Sequence, residues 1–258
     1  LESPIWLHFG AGNIFRGFIS NLQNKLISRG LAEKGIIALE TFDYEIIDRI
    51  YEPYDNLSLL VGLRADGTMD REIIASVAGA WKADTSDTEQ MDKLKSAFVN
   101  SGLQMISFTI TEKGYALSDL HGELLPTVKK DMAEGPGRPE HPMSIIAAML
   151  LERYCAGGFP IAVVSMDNCS HNGETLFSAI MAVSRAWEKN GYVDGSFLDW
   201  LGDERKVSFP WSMIDKITPR PDETILKSLE SSGIFGMMPV VTGRGTFIAP
   251  FVNAEIPQ

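Results

Sequence analysis

His8-Phe9-Gly10-Ala11-Gly12-Asn13-Ile14-Phe15-Arg16-Gly17 reads as the end of a strand, a glycine turn and the start of a helix. The apolar run Ile5 to Phe9 suits a buried strand, and the amphipathic stretch Ile14 to Arg29 suits the helix that follows. Glycines at 10 and 12 permit a tight turn and let a ligand approach the backbone. Unpaired N–H groups and the positive end of the helix dipole attract anions there, so a diphosphate is the expected ligand of Gly10, Gly12, Asn13, Ile14 and Arg16. The spacing is Gly-x-Gly-x-x-x-x-Gly, with Phe15 at the usual third glycine, and by itself it leaves dinucleotide binding and an ordinary glycine turn both open.

The next strand favours the nucleotide. Gly30 ends the helix, Gly35 to Leu39 is a second apolar run, and Glu40 stands at its carboxyl end, about where a Rossmann carboxylate meets the adenosine ribose. Asp43 adds a second negative charge, and no Arg or Lys follows until Arg49. That balance repels a 2′-phosphate and points to NAD rather than NADP. The competing reading makes Glu40 a solvated residue at a strand end.

The rest of the chain alternates helices with short apolar strands, the pattern of an α/β, Rossmann-like, doubly wound and mostly parallel sheet. Asp43 to Tyr51 reads as a short helix, and Thr88 to Val99, Met143 to Cys155, Glu174 to Lys189 and Asp222 to Ser231 as longer ones. Leu103 to Ile110 and Ile161 to Met166 are strands. An antiparallel hairpin insertion is expected where Leu57 to Arg64 and Arg71 to Ala80 flank Ala65-Asp66-Gly67-Thr68. Asp119 to Pro142, polar and rich in Gly and Pro, reads as a surface loop with solvated His121 and His141. Near the end, Val240 to Thr242 and Thr246 to Ile248 form strands about Gly243-Arg244-Gly245.

Composition narrows the function. The 258 residues are 45% hydrophobic and 22% charged, enough to bury a large core. With 23 Lys plus Arg against 34 Asp plus Glu the net charge is −11, and no basic run tracks a phosphate backbone, so neither nucleic acid nor an anionic membrane is an expected partner. No apolar stretch approaches the roughly 20 residues that span a bilayer, and the expected location is cytoplasmic. Cys155 and Cys169 form no disulfide framework, and with His171 they match no common zinc pattern, so no metal is expected.

Ligands of parallel sheets bind at the carboxyl ends of strands. Three polar clusters lie there: Thr111-Glu112-Lys113-Gly114-Tyr115, Asp167 to Gly173, and Ser212 to Pro219. None is a nucleophile elbow. Asn168 can donate an amide N–H to an oxygen on which charge develops, or act as a local cap. Lys113 reads as a general base or as a solvated turn lysine, and Asp215, beside Lys216, as a buried ion pair or a substrate ligand.

Taken in order, these clusters resemble the polyol-specific long-chain dehydrogenases, the mannitol dehydrogenase family, over nearly the whole chain. The anchors are Gly10-x-Gly12 with Arg16, Thr111 to Tyr115, Asp167-Asn168 with Asn172-Gly173, and Val207, Phe209, Ser212, Asp215, Ile217 and Pro219. Ile214 and Lys216 stand where the family pattern has Val and Arg. The family's glycine motif has the long spacing found here. The resemblance implies zinc-independent hydride transfer between NAD(H) and a hexuronate, ketose or sugar alcohol, of the fructuronate/mannonate or mannitol type. It implies Asn168 and Asp215 as catalytic-site residues, and Thr111 and Lys113 beside the cofactor. Arg244 or Lys216 would be available to a substrate carboxylate. In the family a lysine in a Lys-x-x-x-x-Asn-x-x-His motif moves the proton, and that motif does not occur in these 258 residues. Residues 1–258 therefore read as the NAD-binding domain, with a C-terminal helical catalytic domain outside this chain and little turnover by this part alone. The rival is a dinucleotide-binding module or sensor without catalysis.

Overall fold

The computed structural model describes residues 3–64, 66, 68–215, 218–221 and 223–255. Strand β1 (Trp6–Phe9) leads through the glycine turn into a π-helical turn (Phe15–Ile19) and helix α1 (Ser20–Ser28), then β2 (Ile36–Glu40). A second π-helical turn (Ile47–Tyr51) precedes β3 (Ser58–Leu63), β4 (Met69–Ile74) and β5 (Val77–Lys82). Next come α2 (Thr88–Val99), β6 (Met105–Phe108), α3 (Thr111–Tyr115), α4 (Pro126–Glu134), α5 (Pro142–Cys155) and β7 (Ile161–Ser165). The remainder is α6 (Asn172–Lys189), α7 (Gly195–Gly202), β8 (Val207–Ser208), α8 (Glu223–Ser231), β9 (Val240–Val241), β10 (Phe247–Ile248) and β11 (Phe251–Glu255). No described helix is long and apolar enough to cross a membrane.

Two compact units emerge. One comprises Gly10–Lys82 with Asp215–Gln258, the other Glu2–Phe9 with Ala83–Ile214. In the first, β2 pairs parallel with β5 from Ile36↔Val77 to Glu40↔Lys82. The expected hairpin is present, with β3 antiparallel to β4, and β11 adds to it in parallel with Phe251 opposite Leu59. Ala65 and Gly67 of its turn lie outside the described residues, while Asp66 Oδ1 accepts the Thr68 N–H at 2.9 Å. The run Arg71 to Ala80 is two strands rather than one: the chain leaves the hairpin after Ile74 and re-enters as β5. Leu59, Val61, Ile225, Leu229, Ala249 and Phe251 form an apolar core beneath this sheet. Gly17 is required there, since a Cβ would lie 2.7 Å from Val252 Cγ1 of β11.

In the second unit β1, β6, β7 and β8 pair in parallel in that order. Phe9 stacks on Phe108 at 5.1 Å and meets Phe98 of α2 at 6.5 Å. Arg153, fully buried near the end of α5, donates to the carbonyls of Phe98, Asn100, Leu103, Phe159 and Pro160 at 2.6–2.9 Å. Burial lowers its pKa to about 10, so it remains a cation and ties α5 to the chain entering β6 and β7.

Two expectations fail in this unit. Asp119 to Pro142 is not only loop, because α4 lies within it and Trp187 Nε1 donates to the Asp131 carbonyl at 2.8 Å. His141 is not solvated. It is buried at the start of α5, and its Nδ1 accepts the Met143 N–H at 3.2 Å. His121 is exposed as expected.

Candidate functional site

The glycine turn is held from two sides. Gly10 has φ 109°, a conformation that strains any side chain. Its N–H reaches the Leu39 carbonyl of β2 at 2.8 Å. Ala11, fully buried, donates its N–H to Glu40 Oε2 at 3.2 Å and accepts the Tyr51 hydroxyl on its carbonyl at 2.9 Å. The chain becomes helical directly after Gly12, and the Arg16 N–H closes the first turn on the Gly12 carbonyl at 3.1 Å.

Gly12 itself is unlike its neighbours. Its φ lies outside the left-handed region, and a Cβ built on it meets nothing within 4 Å. Neither conformation nor internal packing asks for glycine at this position, and the space beside it is open. A group that must come close to the backbone accounts for it, and the half-buried Asn13 and Ile14 flank the same opening.

Arg16 is fully buried beneath the turn. Nη2 donates to Asn13 Oδ1 at 2.7 Å, Nη1 to the Ala249 carbonyl at 2.8 Å, and Nε has no partner among the described residues. It acts on the turn through Asn13 and on β11 through the chain just before it. Burial lowers its pKa, against the neighbouring Tyr51, and no carboxylate lies within ion-pair distance among the described residues. A positive charge thus sits under the opening, where an anion is favoured.

Glu40 is only 8% exposed, so the solvated strand-end reading does not hold. Oε1 accepts the N–H groups of Thr41, Phe42 and Asp43 at 3.0, 3.0 and 3.4 Å, while Oε2 takes that of Ala11. Burial raises its pKa, opposed by these four donors. Oε2, with one donor, keeps acceptor capacity for a hydroxyl. Asp43 is buried too, and its Oδ2 accepts the hydroxyls of Thr242 at 2.6 Å and Thr246 at 2.5 Å.

In the second unit the loops after β6 and β7 are joined by Asp167. Its carboxylate accepts the N–H groups of Ile110 at 2.9 Å and Thr111 at 3.1 Å and the Tyr115 hydroxyl at 2.6 Å. This holds Thr111 at φ 63°. Burial and the adjacent Asp167 keep the Tyr115 hydroxyl protonated. Asn172, buried, donates to the carbonyls of Asp167 and Ser212 at 3.2 and 2.9 Å and accepts the Ser212 N–H at 3.1 Å. A Cβ on Gly173 would lie 2.4 Å from the Phe209 carbonyl, so Asn172-Gly173 and Phe209 to Ser212 form one interlocked corner.

The sequence-derived candidates sit on this frame. Asn168 is exposed and makes no hydrogen bond among the described residues, so it is not a cap. Thr111 and Lys113 are exposed, with Lys113 inside the short α3. Asp215 belongs to the first unit and is exposed, which removes the buried-ion-pair reading; Lys216 and Ile217 lie outside the described residues. Asp167 and Ser212 stand among the anchors of the family pattern but carry no assigned role there, and Tyr51 is not among the candidates. An acid directly after a buried strand was the available signal for Asp167, and nothing local marked Tyr51.

Residues 4–232 match the family described as the mannitol dehydrogenase Rossmann domain. The chain belongs to the mannitol dehydrogenase family. It is 49% identical over 257 residues to the D-mannonate oxidoreductase of Thermotoga maritima, a match that covers all of this chain and 47% of that protein. It is 28% identical to a mannitol 2-dehydrogenase of Pyrenophora tritici-repentis, over 92% of this chain and 40% of that protein. Among solved structures, the Pseudomonas fluorescens mannitol 2-dehydrogenase in ternary complex with NAD and D-mannitol superposes with a TM-score of 0.75 at 25% identity, over 97% of this chain and 48% of that one. A substrate-free D-sorbitol dehydrogenase has the same fold, with a TM-score of 0.77 at 23% identity. This mannitol dehydrogenase family chain thus spans about half the length of the relatives it matches. Its fold is α/β, Rossmann-like and mostly parallel, with the antiparallel hairpin expected from sequence.

Proposed function

We propose that this chain is the NAD-binding part of an oxidoreductase that transfers hydride between NAD(H) and a small polyol, ketose or hexuronate. Gly12 carries the reading. It is a glycine that the protein's own packing does not require, at the start of a helix and above a buried arginine that has no carboxylate partner among the described residues. The backbone of Gly12, Asn13 and Ile14 takes the diphosphate on the turn that Gly10 shapes, Arg16 balances its charge from beneath, and Glu40 Oε2 accepts from the adenosine ribose. NAD supplies the hydride acceptor or donor.

The exposed, unengaged amide of Asn168 donates to the reacting oxygen, and Asp167 sets the loops on which Asn168, Thr111 and Lys113 stand. Exposed Asp215 contacts substrate. The proton on that oxygen is exchanged by a group outside these 258 residues, which lack the family's lysine motif. A mannonate/fructuronate pair is the favoured substrate, on the 49% identity to a D-mannonate oxidoreductase. A cytoplasmic location belongs to this reading, and the free cysteines Cys155 and Cys169 suit a reducing compartment. Calorimetric titration tests the cofactor reading: NADH is expected to bind more tightly than NADPH, and equal or tighter NADPH binding would remove Glu40 from the ribose site.

A further inference from the structure

The β9–β10 hairpin brings Arg244 to the carboxyl end of β2, although about two hundred residues separate them in sequence. Its guanidinium carbon lies 4.3 Å from the centroid of the Phe42 ring. Phe42 follows Glu40 by two residues and is 60% exposed. Arg244 is exposed as well, with no ion pair or hydrogen bond among the described residues. The guanidinium lies over the ring, and both side chains face solvent.

The turn that carries Arg244 is anchored on both sides. The Thr242 and Thr246 hydroxyls donate to the buried Asp43 carboxylate, the Gly243 N–H donates to Glu45 Oε1 at 2.8 Å, and Arg49 Nη1 donates to the Val241 carbonyl at 3.1 Å. A Cβ on Gly243 would lie 2.7 Å from Glu45 Oε1 and would displace that carboxylate, and Gly245 adopts φ 82°. A polar network thus holds an exposed arginine over an exposed phenylalanine, beside the carboxylate assigned to the ribose.

We propose that Phe42 and Arg244 form the platform on which the adenine ring of the cofactor stacks. The proposal rests on the nucleotide reading above. A purine is flat and uncharged, and a guanidinium plane offers it a stacking face that an ammonium cannot. The pre-ordered turn lowers the entropy lost when the ring docks. A 2′-phosphate would also seek this cation, but the carboxylates of Glu40 and Asp43, at the start of the same turn, oppose it.

The test measures binding of NADH, NADPH, ADP-ribose and reduced nicotinamide mononucleotide to the wild-type chain and to Arg244→Ala, Arg244→Lys and Phe42→Ala, each with its melting temperature. The expected result is a loss of about five- to tenfold in affinity for NADH and ADP-ribose in all three variants, in the range of one base–side-chain stack. The mononucleotide and the melting temperatures should be unchanged. Wild-type affinity retained in Arg244→Ala and Phe42→Ala would overturn the platform and leave the nucleotide site standing. A far larger loss for NADPH than for NADH in Arg244→Ala would make Arg244 a phosphate contact instead. A wild-type chain that binds neither NADH nor ADP-ribose would overturn the nucleotide reading, and the platform with it.

Discussion

Glu40 Oε2 accepts the backbone N–H of Ala11 at 3.2 Å, so the carboxyl end of β2 and the glycine turn are joined by one buried, charge-assisted hydrogen bond. The side chain read from sequence as a ribose ligand also shapes the phosphate loop. Glu40→Ala leaves four backbone N–H groups without their acceptor and is expected to cost about 1–3 kcal/mol of stability, along with a weaker affinity for NADH. Denaturant unfolding and NADH titration of the same variant check both effects. Loss of affinity without any loss of stability would mean that the bond to Ala11 does not hold the turn.

His8 gives a pH dependence with a definite sign. It is fully buried between the hydroxyls of Ser107 and Thr109, and burial lowers its pKa from 6.5 to about 3. The unfolded chain binds a proton at His8 below pH 6.5 and the folded chain does not. The stability tied to neutral His8 is therefore complete above pH 6.5 and falls as the pH drops toward 3, by up to about 1.4 kcal/mol per pH unit. His8→Asn removes that slope, so the stability gap between wild type and variant should narrow from pH 7 to pH 5. A constant gap over that interval would contradict the burial of a neutral imidazole.

Neighbouring residues in the loop after β7 should separate chemistry from architecture. Asn168, exposed and without an internal partner, can be replaced by Ala with a stability change within about 0.5 kcal/mol. In the complete enzyme the same change should lower turnover about a hundredfold with little effect on cofactor affinity. Asp167→Ala should behave differently. It strips the acceptor from Ile110, Thr111 and Tyr115 and is expected to cost about 2 kcal/mol or more in stability. Turnover and melting temperature measured on both variants make the comparison, and an Asn168 variant that is destabilised but fully active would remove Asn168 from the active site.

Much of this was legible from local pattern. Helix α2 was readable because Met91, Leu94 and Phe98 fall at helical spacing, and Asp87 caps it through the N–H groups of Glu89 and Gln90. The glycine turn and Glu40 announced themselves by spacing. Features set by distant parts of the chain were not legible. Glycines and prolines around α4 hid a helix whose place is fixed by Trp187, 56 residues from the carbonyl it binds. The break at Ala75-Ser76 follows from β5 pairing with β2, which no short window contains. Tyr51 on Ala11 and Arg244 on Phe42 are likewise contacts between segments far apart in sequence.

The central claim is that Gly12 is glycine for the sake of a bound diphosphate, and Gly12→Ala beside Gly17→Ala tests it most directly. Gly17 touches Val252 of β11, so its replacement is expected to destabilise the fold by about 1–3 kcal/mol. Gly12 faces open space, so its replacement should leave the melting temperature within about a degree of wild type while NADH affinity falls tenfold or more. A Gly12→Ala chain that binds NADH as tightly as wild type would contradict the account.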